Sequence, residues 1–162
     1  MKKYVLWLVC ALLLSGCGGE EVFETVADEW AAPVMAQPKQ ITVELPGEAA
    51  LPAMESDAGR IYLCEDYEIC LQTLEAGDLN ATIQSICGYS PEELTVVETS
   101  QEGAKRYDFV WASAEEAGER LGRAVILDDG SYHYTMTVLR DPDTTETSQT
   151  NWNSIFDSFR LG

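Results

Sequence analysis

The 162-residue sequence predicts an α+β fold, a mainly antiparallel sheet of about seven strands with helices packed on it. Stretches in which apolar and polar residues alternate with a period of two recur along the chain. Short turn sequences separate them, such as Gln101-Glu102-Gly103 and Asp128-Asp129-Gly130, so neighbouring strands are expected to pair as hairpins. Three stretches carry apolar residues at helical spacing and supply the packed helices.

The chain opens on a segment that does not belong to that fold. Met1-Lys2-Lys3 is followed by an almost unbroken apolar run from Tyr4 to Leu14, then by Leu14-Ser15-Gly16-Cys17. Two cationic residues, a short apolar helix and small residues before a cysteine are the parts of an export signal cleaved before Cys17. The run is about half the roughly 20 residues needed to span a bilayer. The sequence is therefore expected to be a bacterial lipoprotein precursor, with residues 1–16 as signal peptide, Cys17 as the lipidated residue and 17–21 as a lipid-proximal tether. Acyl chains contribute roughly 0.8 kcal/mol per buried methylene, so two or three of them hold a protein stably at a membrane. The mature protein is expected at the cell membrane, facing away from the cytoplasm.

Residues 22–162 are expected to form a single α+β domain. Val22, Phe23, Val26 and Trp30 recur at helical spacing and predict an amphipathic helix over 22–31, ending before Pro33. The core sheet and helices are expected over 40–161. Gln40 to Leu45 alternates Ile41, Val43 and Leu45 with polar residues as a half-buried strand does, and Pro46 to Gly59 reads as a loop. Arg60–Glu65 and Glu68–Leu74 predict a hairpin around Asp66-Tyr67. A three-residue loop there puts Ile61, Leu63, Ile69 and Leu71 on one face and Cys64 opposite Cys70. Asp78 caps a helix with Leu79, Ile83, Ile86 and Cys87 on one side, stopped by Gly88. After the turn Ser90-Pro91-Glu92-Glu93 come a strand over 94–99 and a second over 105–112, whose Tyr107, Phe109 and Trp111 share a face. A hairpin around Asp128-Asp129-Gly130 joins strands at 120–127 and 131–139. The last element is a helix from about Thr147 to Phe159, with Trp152, Ile155, Phe156 and Phe159 as its apolar stripe.

From Tyr107 onward the order of elements resembles the PsbP-like family, the fold of extrinsic photosystem proteins and their Ran-binding relatives. The residues that carry this are Tyr107-Asp108-Phe109 on a strand, Arg123-Ala124-Val125-Ile126-Leu127-Asp128-Asp129-Gly130-Ser131-Tyr132 as strand, turn and strand, and Ile155-Phe156-Asp157-Ser158-Phe159 in the last helix. The resemblance covers about a third of the chain and consists of packing and turn residues. The resemblance implies an α/β sandwich that serves as a binding or assembly module, often at a membrane surface, with no catalytic set; it assigns no functional residue here.

The formal charge is −18, and loss of Lys2 and Lys3 with the signal takes it to about −20. Such a surface repels anionic phospholipid and nucleic acid, which need basic patches that the remaining Lys and Arg, scattered singly or in small pairs, do not supply. No nucleic-acid partner is expected, and lipid on Cys17 carries the contact with the membrane. His133 is the single histidine, in a different element from every cysteine, which argues against a cysteine enzyme. Cys64 and Cys70 offer a candidate cross-strand disulfide in an oxidising compartment. Their spacing is wrong for zinc, and Asp128-Asp129-Gly130 and Asp141-Pro142-Asp143 lack the repeated ligands of a calcium loop. No metal or other cofactor is expected, nor enzymatic activity, since phosphate loops, serine elbows and paired catalytic carboxylates do not appear.

The exposed aromatics pose the remaining question. Tyr62, Tyr67, Tyr107, Trp111, Tyr132 and Tyr134 belong to strands, and any that face outward become partner-binding candidates, Tyr107, Trp111, Tyr132 and Tyr134 first. The core reading competes at each position. The expected function is a lipid-anchored accessory module that binds a protein or envelope partner; the alternative is a small-molecule or metal-binding lipoprotein.

Overall fold

The computed structural model describes residues 36–115, 118–142 and 146–162. The expected signal peptide, Cys17, the tether and the helix over 22–31 lie outside them. In chain order the elements are β1 (Ile41–Thr42), β2 (Met54–Ser56), β3 (Gly59–Leu63), β4 (Tyr67–Glu75), α1 (Leu79–Cys87), β5 (Val97–Gln101), β6 (Ala104–Glu115), β7 (Gly118–Asp128), β8 (Tyr132–Arg140), α2 (Glu146–Ser158) and β9 (Arg160–Leu161). No helix among the described residues is long and apolar enough to cross a membrane.

The chain is mixed α and β, with one seven-stranded sheet in the order β2-β3-β4-β8-β7-β6-β5. Every pairing in it is antiparallel. Two meanders, β2-β3-β4 and β5-β6-β7-β8, meet where β4 pairs with β8 from Tyr67↔Arg140 to Glu75↔Tyr132. Local turns set the hairpins. Glu102 and Gly103 adopt φ of 51° and 85° and bring Gln101 opposite Ala104, while Gly130, at φ 88°, lies in the β7–β8 turn. Positive φ costs glycine little, which is why it stands there.

Each face of the sheet carries one helix. Tyr62, Ile69, Leu71, Val125, Leu127, Tyr134, Met136 and Val138 are buried on one face with Trp152, Ile155 and Phe156 of α2 and with Phe159 beyond it. Tyr107, Phe109, Trp111, Ala124 and Ile126 are buried on the other against Ile83 of α1. The α1 ends follow expectation: the Asp78 side chain accepts from Asn80 N at 3.0 Å, and Gly88 closes the helix in the left-handed region. Leu79, Ile86 and Cys87 pack beside Ile83 as the stripe requires.

Four readings of the sequence need correction. The β3–β4 loop has two residues, Glu65 and Asp66: Cys64 N donates to Tyr67 O at 2.9 Å, and Tyr62 lies opposite Ile69. Tyr62 points into the core and Leu63 is left 64% exposed, because burying the larger aromatic removes more apolar area from water. The strand expected over 40–45 keeps its alternation in burial, yet only Ile41 and Thr42 form a ladder, with β9 in a separate two-stranded sheet. The loop expected over 46–59 contains β2, an edge strand whose three residues are all exposed and carry no alternation to read. The strand expected over 94–99 begins its ladder at Val97. Leu94 and Val96 instead pack against the α1-face core.

Candidate ligand groove

The α2 face is not covered along its whole width. Where β6, β7 and β8 pass the C-terminal half of α2, a cavity of about 550 Å³ opens between sheet and helix. Its apolar walls are Val110 and Ala112 of β6, Leu121 of β7, Val138 of β8, and Trp152 and Phe156 of α2. Strand alternation brings them together: Arg123 lies opposite both Val110 and Val138, and Leu121 opposite both Ala112 and Arg140, so all six strand positions share one face. Val110, 62% exposed, stands at the open side, whereas Phe156 is buried.

Polar groups enter this wall at few points. Arg123 Cζ stacks 4.0 Å above the Phe156 ring, its Nη1 donates to Asn153 Oδ1 at 2.9 Å, and its Nη2 lies 3.7 Å from Asp108 Oδ1. Helix and carboxylate thereby hold the guanidinium in one orientation, which a planar fork suits better than an ammonium. Arg140 and Asn153 complete the polar lining. Trp152 packs edge-on to Tyr67, with centroids 4.7 Å apart. Its indole Nε1 is buried without a hydrogen-bond partner, an arrangement that native proteins seldom leave unsatisfied. Among the described residues no carboxylate lines the cavity, in a chain with 28 Asp and Glu against 10 Lys and Arg.

The aromatic candidates for partner binding fall mostly inside. Tyr107 and Trp111 are 6% and 7% exposed in the α1-face core, and Tyr134 is fully buried in the other. This corrects the outward reading of all three: each occupies a sheet position that a helix covers. Trp111, though its ring belongs to the α1 face, also borders the groove. Tyr132 is half-buried, and its hydroxyl donates to Ala36 O at 2.8 Å. Tyr134 hydroxyl donates to Asp129 Oδ2 at 3.1 Å and accepts from Lys39 N at 2.9 Å. Both tyrosines therefore fasten the entering chain to the β7–β8 turn.

The candidate disulfide is also corrected. Cys64, Cys70 and Cys87 are free. With the two-residue loop, Cys64 packs beside the α2-face core, while Cys70 lies opposite Ile61, between the core-facing Ile69 and Leu71 and so on the reverse face. Burial and the Glu68 carboxylate push the Cys70 thiol up. Burial does the same to Cys87, against an opposing backbone hydrogen bond at Tyr89.

His133 has a hydroxyl on one side and a carboxylate on the other: Thr82 Oγ1 is 2.9 Å from Nδ1, and Asp128 Oδ2 is 4.0 Å from Nε2. The order is that of a nucleophile, base and acid, but the imidazole is 1% exposed under α1 and the second separation is too long for a hydrogen bond. This geometry pins α1 to β8. Carboxylates in the β7–β8 turn are equally occupied: Asp128 accepts from Gly130 N, and Asp129 from Ser131 N and Tyr132 N. Among the described residues no group of three or more His, Cys, Asp or Glu is arranged to hold a metal.

No protein-family model matches the chain, and no curated protein is similar to it. The groove was missed in the sequence because its residues come from four elements. The one available signal was that Arg123 and Arg140 fall at the same alternate positions of β7 and β8 as the apolar Leu121, Val125, Leu127, Met136 and Val138.

Proposed function

We propose that this chain is a lipid-anchored, non-enzymatic module on the outer side of a bacterial cell membrane, binding a protein or other envelope component. The lipobox ending in Cys17 supports the location. The binding role rests on one observation, the groove beside α2, which is a preformed concave apolar surface with a few fixed polar groups. The test uses the lipidated protein in detergent as bait against envelope extract. The reading expects a reproducible partner that is lost with Val110→Trp, which fills the groove mouth; repeated failure to recover one overturns it. Mass spectrometry checks the anchor: the mature amino terminus should be a diacylglyceryl-modified Cys17.

A second reading, a small-molecule-binding lipoprotein, is favoured by the cavity's volume, which falls within the roughly 300–1,000 Å³ of small-ligand sites. The sheet is further proposed to be a PsbP-like α/β sandwich. Its support is that the three stretches quoted for the resemblance fall on β6, on the β7–β8 hairpin and at the end of α2. An experimental structure superposed on members of that family tests it, and a different strand order in the family core would reject it.

A further inference from the structure

We infer that the groove beside α2 binds an amphiphilic carboxylate, an apolar chain carrying one anionic head; the inference rests on the small-molecule reading above. Three observations converge on that class. Val110, Leu121, Val138, Trp152 and Phe156 give the cavity a continuous apolar wall, which favours a hydrocarbon body over a sugar or nucleotide. The cavity lining differs in charge from the molecule: Arg123 and Arg140 line it and, among the described residues, no Asp or Glu does, although the chain as a whole stands at −18. An anion is repelled by the acidic surface at large and meets two arginines here. Finally, the wall is supplied with donors. Arg123 is held in place by Asn153, Asp108 and the Phe156 ring, and Arg123, Arg140 and Asn153 all border the cavity. A carboxylate that accepts from a guanidinium forms a charge-assisted bond, stronger than its neutral counterpart.

The probes are dodecanoate, dodecanol and butyrate, each below the concentration at which it aggregates. They are titrated calorimetrically into the mature chain carrying Cys17→Ser, which removes the lipid that would compete. One dodecanoate should bind per chain, at least tenfold tighter than dodecanol, and butyrate should bind at least a hundredfold more weakly than dodecanoate. Val110→Trp should abolish dodecanoate binding, and Arg140→Gln should erase the preference for dodecanoate over dodecanol. Asn153→Trp, at a second exposed position on the groove, replaces Val110→Trp should that variant not fold. Equal affinity for dodecanol and dodecanoate overturns the anionic head, and binding unaffected by a folded groove-filling variant overturns the location. If neither long-chain probe binds while the lipidated bait still captures a partner through the groove, the present inference fails and the docking reading survives.

Discussion

Arg106 and Phe156 join the far strands of the sheet to the last turn of α2: Arg106 Nη2 donates to the Phe156 carbonyl at 3.1 Å. The same guanidinium donates through Nε and Nη2 to the Asp108 carboxylate, at 2.7 and 3.1 Å, and through Nη1 to Gln101 Oε1 at 2.7 Å. The positive group sits where helix carbonyls lack intrahelical partners and the helix dipole is negative. Gln101 adds a bond from Nε2 to Phe159 O at 3.0 Å. Removing the guanidinium strands a partly buried carboxylate and a helix-end carbonyl together, so Arg106→Ala should cost about 3 kcal/mol in urea unfolding. Arg106→Lys should recover less than half of that, since an ammonium cannot reproduce the fork. Equal stability of the lysine variant and the wild type would contradict this account.

Asp129 predicts an acid-sensitive contribution. Burial works against its ionisation, but hydrogen bonds from Ser131 N, Tyr132 N and the Tyr134 hydroxyl, with Lys39 3.4 Å away, hold its carboxyl below the usual range. A carboxyl whose folded pKa is lowered stabilises fully above its unfolded value of about 4, and that stabilisation is lost as pH falls through the folded value. Asp129→Asn should therefore be less stable than wild type at neutral pH, and the gap should narrow once pH drops below about 4. Urea midpoints at several pH values check this; a gap independent of pH is the adverse result.

Gly122 is required by its neighbour across the ladder. It lies opposite Trp111, and a Cβ there would clash with the indole ring. Overpacking of this kind costs about 1–3 kcal/mol. Gly122→Ala should lower stability by that amount, while the same change on a Trp111→Leu background should cost less. Additive losses in the double variant would mean that the ring does not set the requirement.

Thr82 and His133 pin α1 to the sheet. Thr82→Val keeps the shape and leaves the buried Nδ1 without its partner, at a cost of about 1–3 kcal/mol. Hydrogen exchange should quicken in α1 more than in α2. Uniform acceleration across the fold would count against a local pin.

The three thiols should behave as free groups. Non-reducing mass spectrometry of the oxidised, folded protein should find no Cys64–Cys70 bridge, because the two side chains lie on opposite faces. Since burial raises the Cys70 and Cys87 thiols, their alkylation should be slow at pH 7 and speed up only above the ordinary thiol value of about 8.5. Recovery of a native bridged peptide would reject the register of β3 and β4.

The sequence alone determined what is written in neighbouring residues. Asp78 and Gly88 bound α1, Gly103 and Gly130 turn their hairpins, and Trp152, Ile155, Phe156 and Phe159 mark the buried side of α2, because capping, positive φ and period are local physics. An antiparallel sheet of seven strands followed from the hairpins, although its membership did not: the stretch at Ile41 left for a two-stranded sheet and Met54–Ser56 took a place. Tertiary structure decided the rest. A period of two says that a face is buried but not what covers it, so Tyr107, Trp111 and Tyr134 became core only when helices settled over them. The groove exists because α2 leaves part of one face open, and Arg123, Arg140 and Trp152 meet there from separate elements. Non-local contact depends on how elements stack, and that is settled by total burial across the domain rather than by any segment of it.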